Sequence, residues 1–188
     1  MKKTAALLSI LIAFTLSLYS QEDEQKEYYR PIQFFIGIQP TADLEPFDGT
    51  RYTTFLNIIP VQLEYAINDK WSVRLTPQAI MQFVPELPAE ISKVGAGLTF
   101  PYHFAKKNSE EGHRGFYAGP SIGMMNHKVD NFVSASAAAE IGYCFLFNSV
   151  FSLNLGVQAG KVIQFDPNGG YAQIYNHTGA VFAFGIWF

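Results

Sequence analysis

Apolar and polar residues alternate along most of this chain with a period of two, which is the pattern of β-strands. Eight alternating segments follow one another from residue 32 to the end, separated by turn-rich stretches. Several of them are much longer than the about five or six residues that are usual in globular sheets. The predicted strands are about residues 32–39, 53–66, 70–82, 92–105, 115–127, 132–146, 150–164 and 171–188.

The two faces of these strands differ in composition. One face is apolar, with only Asn57, Asn176 and Thr178 as polar exceptions, and the other carries polar side chains and many glycines. A narrow, curved interior favours glycine, whereas a surface in bulk water gives no reason to avoid side chains. We therefore predict an all-β fold, an eight-stranded antiparallel up-and-down transmembrane β-barrel, with the apolar face outside. The charged residues predicted inside are Glu64, Arg74, Lys93 and Glu140.

Aromatic residues gather towards the strand ends, and amphipathic rings favour the level of the lipid headgroups. The sequence therefore predicts a dense interfacial girdle at one end of the barrel and a sparser one at the other. The dense girdle comprises Tyr65, Trp71, Tyr102, Phe104, Phe116, Tyr143, Phe145, Phe147, Phe151 and Trp187, and the sparser one Phe55, Phe83, Phe132, Phe165 and Tyr171.

The start of the chain has the features of an export signal. Two lysines precede an apolar run over about residues 5–18, which is too short to span a bilayer comfortably. We expect a signal peptide at residues 1–20, a short periplasmic leader at 21–31 and the barrel at 32–188. Without those two lysines, 11 basic residues stand against 16 acidic ones. This balance argues against a nucleic-acid partner, which requires a basic surface.

The chain ends in "GAVFAFGIWF", in which the apolar residues of one face reach the last position. This row closely resembles the C-terminal recognition strand of bacterial outer-membrane barrels. The resemblance implies that the barrel-assembly machinery reads this end and that the last strand closes against the first. The residues of the implied assembly signal are Phe182, Phe184, Ile186 and Phe188.

Over the whole predicted mature chain, the sequence resembles the small eight-stranded outer-membrane barrels of the OmpA-domain, OmpX and OmpW type. Stretches such as "LEYAINDKWSVRL" and "GFYAGPSIGM" have the composition of their hairpins. The resemblance implies a location in the bacterial outer membrane, contact with its lipid and lipopolysaccharide, and a monomer.

Four prolines fall inside the predicted strands, and each removes a hydrogen-bond donor from the sheet. They are Pro60, Pro77, Pro101 and Pro120. β-Bulges are the favoured interpretation. The alternative is a weakened seam through which lipid enters sideways, as in the palmitoyl-transfer barrel of the outer membrane.

A charged pair is expected inside the barrel near the turn at residues 68–70. If Tyr65 and Val73 both face lipid, an odd loop places Glu64 directly opposite Arg74. Side chains in such a position have Cβ atoms about 4.5–5.5 Å apart, within reach of a bidentate contact. Two separately hydrated charges are the alternative.

Catalytic and metal-binding signals are weak. His127, Asp130 and Ser134 lie close together around the third outer loop and have the residue types of a serine hydrolase, although a polar loop is the favoured interpretation. The four histidines are not spaced as zinc ligands, and we expect neither a metal nor a cofactor. Cys144 is the single cysteine, so no internal disulfide forms.

Eight strands leave an interior just wide enough for side chains to fill. The leading hypothesis is therefore a structural or surface-interaction barrel without catalysis, whose outer loops contact an external ligand. These loops are expected at about residues 40–52, 82–91, 127–131 and 164–171. The alternatives are a narrow channel for a small or hydrophobic solute and, less favoured, an enzyme that modifies lipid A.

Overall fold

A computed structural model describes residues 31–46, 52–129, 131–165 and 173–188. The predicted signal peptide and nearly all of the predicted leader lie outside these residues. No helix among them is long and apolar enough to cross a membrane. The strands are β1 (Phe34–Ile38), β2 (Ala42–Pro46), β3 (Tyr52–Asn57), β4 (Val61–Ala66), β5 (Ser72–Phe83), β6 (Glu90–Thr99), β7 (Tyr102–His103), β8 (Gly115–His127), β9 (Phe132–Phe147), β10 (Phe151–Phe165) and β11 (Gln173–Trp187).

The strands close into a ring with antiparallel neighbours throughout. Strands β4, β1, β11, β10, β9, β8, β6 and β5 pair in that order, and β5 pairs with β4 to complete the circle. Three of the eleven strands continue a neighbour in sequence after a short interruption: β2 continues β1, β3 precedes β4, and β7 continues β6. The eleven segments therefore form eight transmembrane strands of the barrel. The predicted eight-stranded antiparallel barrel is confirmed.

The barrel has its apolar face outside, as predicted. Phe116 and Ile141 are 67% and 58% exposed, whereas their chain neighbours Tyr117 and Glu140 are each 1% exposed and point inwards. This distribution is the reverse of that in a soluble sandwich, and it is the one that lipid around a polar lumen requires.

One predicted face assignment is wrong near Pro60. Asn57 was expected to face lipid, but it is 4% exposed and lies on the inner face. Its Oδ1 accepts hydrogen bonds from the backbone N–H groups of Ile59 and Ala79, both at 3.1 Å. Odd-numbered residues point inwards in β3 and even-numbered ones in β4, so an extra residue is accommodated between them. Pro60 therefore lies at a bulge-like irregularity.

The other three prolines do not lie at bulges. The register is continuous through Pro77, which is opposite Ala96, and through Pro120, which is opposite Ala139. The carbonyls of two of these prolines still hydrogen-bond to the neighbouring strand. Pro101 O accepts from the Ser72 N–H at 3.1 Å, and Pro120 O accepts from the Phe100 N–H at 2.9 Å. The bulge in β6 lies instead beside Ile80 and Met81, where the register shifts.

Three aromatic residues of the predicted girdles lie on the inner face. One is Phe132, which is directly opposite the buried His127 and stacks on its ring. Trp187 is 2% exposed and packs against Phe35, with 5.3 Å between the ring centroids. Phe55 is 8% exposed. Parity explains all three corrections, because strand alternation places these rings on the inner face although their sequence positions are at strand ends.

The contact between the first and last strands is short. Strand β1 pairs with β11 from Phe35 opposite Trp187 to Ile38 opposite Phe184, and Phe34 and Phe188 exchange backbone hydrogen bonds of 2.9 and 2.7 Å. Beyond Phe184, the rest of β11 pairs only with β10 among the described residues. We call this interrupted edge of β11 the seam.

The face assignment predicts opposite outcomes for arginine at two adjacent positions of β6. Leu98→Arg places a charge against lipid, where the cost at midplane is about 2–4 kcal/mol. Gly97→Arg should be tolerated, because an added Cβ has 3.9 Å to its nearest atom and points into a cavity. Urea unfolding in lipid vesicles measures both. Equal destabilisation by the two variants would contradict the assignment.

Candidate functional site

Three charged side chains cross the lumen at one level. Arg74 of β5 donates through Nε to Glu64 Oε2 of β4 at 2.8 Å, and through Nη1 to Glu140 Oε1 of β9 at 2.5 Å. All three are at most 2% exposed. Glu64 lies directly opposite Arg74 in the register, as the turn argument requires. We call Glu64, Arg74 and Glu140 the ion layer.

Neighbouring polar groups satisfy the remaining carboxylate oxygens. Ser72 Oγ donates to Glu64 Oε1 at 2.5 Å, and His103 Nε2 lies 3.5 Å from the same oxygen. On the other side, Gln158 Nε2 donates to Glu140 Oε2 at 2.6 Å. Each carboxylate therefore has both a cationic and a neutral partner, which a buried charge requires.

Tyr117 fills the lumen beside the ion layer. The guanidinium carbon of Arg74 lies 5.1 Å from the centre of the Tyr117 ring. A Cβ added at Gly142 or Gly156 would lie 2.5 or 2.9 Å from the Tyr117 hydroxyl oxygen. The ring therefore reaches from β8 to the inner faces of β9 and β10, and these two glycines provide the space for it.

The connection between β7 and β8 closes one end of the barrel. We call residues 104–114 the floor loop. Its backbone joins three other segments at that end: the Lys107 N–H donates to Asp69 O, the Gly112 N–H to Ser149 O, and Ser109 O accepts from the Ile32 N–H, at 2.8 to 3.1 Å. Lys107 Nζ also donates to Ile32 O. The floor loop therefore ties the segment before β1 to two turns.

The floor loop also inserts a histidine into the barrel. His113 is fully buried and stacks on His103, with 3.9 Å between the ring centroids and an interplanar angle of 10°. Burial, together with the neighbouring His103, lowers the pKa of His113 to about 3. The imidazole is therefore neutral at neutral pH, and Trp187 packs against it edge-on at 5.5 Å.

A cavity of about 540 Å³ occupies the other half of the lumen. We call it the upper cavity. None of the lining side chains that the structure describes is acidic. The polar residues that matter for its chemistry are Gln78, Lys93, His127, Ser134, Gln158 and His177.

The predicted lumen charges therefore separate into two levels. Glu64, Arg74 and Glu140 form one cluster, whereas Lys93 lies in the upper cavity beside the ring of Phe55, with its Nζ 4.6 Å from the ring centre.

Two members of the candidate catalytic cluster meet in the upper cavity. His127 Nε2 and Ser134 Oγ are 2.9 Å apart, and the His127 ring stacks on Phe132. Asp130 lies outside the described residues. A serine nucleophile needs a base that is itself oriented, so the catalytic hypothesis stays a prediction.

The residues of the implied assembly signal form an exposed row on the outer face of β11 and the chain end. Phe182, Phe184, Ile186 and Phe188 are 36–59% exposed. For metals, the described residues contain no group of three or more histidine, cysteine or acidic side chains that could hold an ion.

Sequence reasoning missed three parts of this site: Glu140 as a second partner of Arg74, the stacking of His103 on His113, and the floor loop. Glu140 is 66 residues from Arg74, and the floor loop contacts Ile32 and Ser149, which are far from it along the chain. His103 and His113 are close in sequence, but their stacking depends on how the floor loop folds back into the barrel. Two glycines at 142 and 156 were a usable signal, because they indicated a large ring from another strand.

The ion layer predicts a specific pattern of stabilities. Arg74→Met should be the most damaging single change, about 3–5 kcal/mol, because it leaves two buried carboxylates without their cation. Glu64→Gln should lower the free energy of unfolding by less. The triple variant that combines Arg74→Met with Glu64→Gln and Glu140→Gln should recover part of the stability that Arg74→Met loses. Urea unfolding in lipid vesicles gives these free energies.

Lys93→Met provides the matched control for this cycle. Lys93 is a lumen cation, but it lies six residues from Thr99, the residue opposite Arg74, or roughly 20 Å along the strand. Its coupling energy to Glu64→Gln should be near zero. A near-zero coupling between Glu64→Gln and Arg74→Met as well would contradict the ion layer.

Among solved structures, the crystal structure of the outer membrane protein OprG from Pseudomonas aeruginosa is similar to this chain. The match covers 85% of this chain and 97% of that one, at 17% identity and a TM-score of 0.45. No family model and no curated protein sequence matches. The strand pairing itself gives the chain the architecture of the small eight-stranded barrels that its sequence resembles.

Proposed function

We propose that this chain is an outer-membrane β-barrel that is closed towards the periplasm and acts at the cell surface through its upper cavity and outer loops. The observation that carries the proposal is the ion layer, which crosses the lumen with three side chains that are at most 2% exposed. The floor loop adds a second barrier on the same side. A barrel closed in this way binds partners on its open side and does not conduct.

The orientation follows from where the first and last parts of the barrel lie. Ile32 and Phe188 are both at the end closed by the floor loop, where the Ile32 N–H donates to Ser109 O and Phe188 pairs with Phe34. The periplasmic leader expected at residues 21–31 directly precedes Ile32, so this end of the barrel would face the periplasm. The upper cavity then opens to the outside, next to the segments at residues 84–89 and 128–129.

A narrow channel for a small or hydrophobic solute is the second candidate, and the seam favours it. The upper cavity is lined by Pro40 and Thr41 on one side of the seam and by residues 178–182 of β11 on the other. A solute that enters from outside would leave sideways into the membrane, since the ion layer blocks the direct route. Uptake of such a solute into vesicles without ionic conductance would distinguish this candidate.

Planar-bilayer recording tests the closed lumen. We expect no discrete conductance steps from the full chain once a heat-modifiable gel shift has shown that it is folded. An epitope inserted at residues 84–89 should be stained on intact cells, and one inserted at 106–111 only after permeabilisation. Regular conductance steps from the folded wild-type protein would refute the closed barrel, and the opposite staining would refute the orientation.

A further inference from the structure

One cation lies on the lipid-facing side of the barrel. The odd-numbered residues of β10 face outwards, and this row is apolar from Phe151 to Ala159 before it reaches Lys161, whose side chain is exposed. On the outer faces of β8 to β11, over the residues that the structure describes, Lys161 is the only charged side chain. It is therefore an exception to the apolar face that the alternation predicts. A charge on this face is costly in the middle of the hydrocarbon layer and is tolerated near its edges.

The length of β10 places Lys161 near the upper edge of that layer. Phe151 begins the strand in the dense aromatic girdle, and Lys161 is ten residues further along the same strand. With a rise of about 3.3 Å per residue and a tilt of about 35–45°, the two residues differ in height by roughly 25 Å, which is also the usual height of the apolar band. The Lys161 ammonium therefore lies close to the lipid headgroups on the side away from the floor loop.

Two polar side chains of β11 accompany Lys161 on the outer face. Asn176 is directly opposite Lys161 in the register, and its Oδ1 accepts from the Lys161 Nζ at 2.5 Å. Thr178 is the next outward-facing residue of β11, and both side chains are exposed. Because the ammonium engages the Asn176 oxygen, the amide presents its N–H groups, and Thr178 adds a hydroxyl. We call Lys161, Asn176 and Thr178 the outer patch.

Apolar surface borders the outer patch in both directions along the barrel. Towards the floor loop, the outward-facing Leu155, Val157 and Phe182 are 39–55% exposed. Away from it, the outer face continues with the directly paired Ile163 and Ile174. A group that reaches the patch therefore lies in the membrane. Among membrane groups, a phosphate matches these donors best, because it carries negative charge on several acceptor oxygens and lysine binds it as a point charge.

We propose that the outer patch binds the phosphate group of an outer-leaflet lipid, whose acyl chain then lies along Val157 and Phe182. The phosphate oxygens accept from the Lys161 ammonium, the Asn176 amide and the Thr178 hydroxyl. The assignment to the outer leaflet rests on the proposed function, since it requires the floor loop to be periplasmic. Binding of the phosphate itself does not depend on the orientation.

Native mass spectrometry of the full chain, folded in dodecyl maltoside, measures this binding with diphosphorylated lipid A as the probe and dephosphorylated lipid A as its counterpart. The phosphorylated form should bind at least tenfold more tightly. Lys161→Met should weaken its binding by at least fivefold, and Lys161→Arg should retain most of it. The matched control is Lys70→Met, because Lys70 also donates to a neutral side chain, Tyr102 Oη at 3.0 Å, but lies at the end closed by the floor loop. It should leave binding unchanged.

Equal affinity of the two lipid A forms for the wild type would overturn the proposal, because a lysine that only extends its ammonium towards water does not distinguish them. The absence of binding, or equal losses in Lys161→Met and Lys70→Met, would overturn it as well. A heat-modifiable gel shift shows that each variant is folded. If phosphate binding is absent while bilayer recordings stay silent and the epitopes stain as expected, only this proposal fails and the closed barrel stands.

Discussion

Arg74 is held between two carboxylates in a lumen that eight strands make narrow, and the interior is organised around this contact. A buried guanidinium without partners is very unfavourable, and two carboxylates without a cation are equally so. Glu64 and Glu140 come from strands on different sides of the barrel and meet at one guanidinium. The ion layer therefore fixes the mutual position of β4, β5 and β9 at this level.

The remaining interior follows from the space around that contact. Tyr117 lies against the guanidinium, and Gly142 and Gly156 leave room for its hydroxyl. Below it, the floor loop brings His113 against His103 and closes the end. Above it, smaller side chains leave the upper cavity open. One half of the barrel is thus a packed polar core, and the other half is available for binding.

The fold was predictable because a period of two over long segments leaves few alternatives, and because glycine on the polar face indicated which side is enclosed. The register of one hairpin was predictable for the same reason, so Glu64 could be placed opposite Arg74. The inward turn of Asn57 was not, since an irregularity at Pro60 depends on tertiary packing. The inward position of Trp187 follows from the same alternation, because Ile186 and Phe188 on either side of it face outwards. Glu140 meets Arg74 from a strand far along the chain, and the floor loop brings His113 against Trp187, and local pattern encodes neither contact.

Reactivity of the single cysteine tests the closed lumen most directly. Cys144 is 1% exposed, and its thiol donates to His113 O at 2.9 Å, between the ion layer and the floor loop. A membrane-impermeant maleimide, applied to both faces of the folded barrel, should leave Cys144 unlabelled while urea-unfolded protein is labelled completely. Ser109→Cys in a Cys144→Ser background, with its thiol on the exposed floor loop, should label rapidly as the control. Labelling of native Cys144 at the rate of that control would contradict a lumen closed on both sides of this residue.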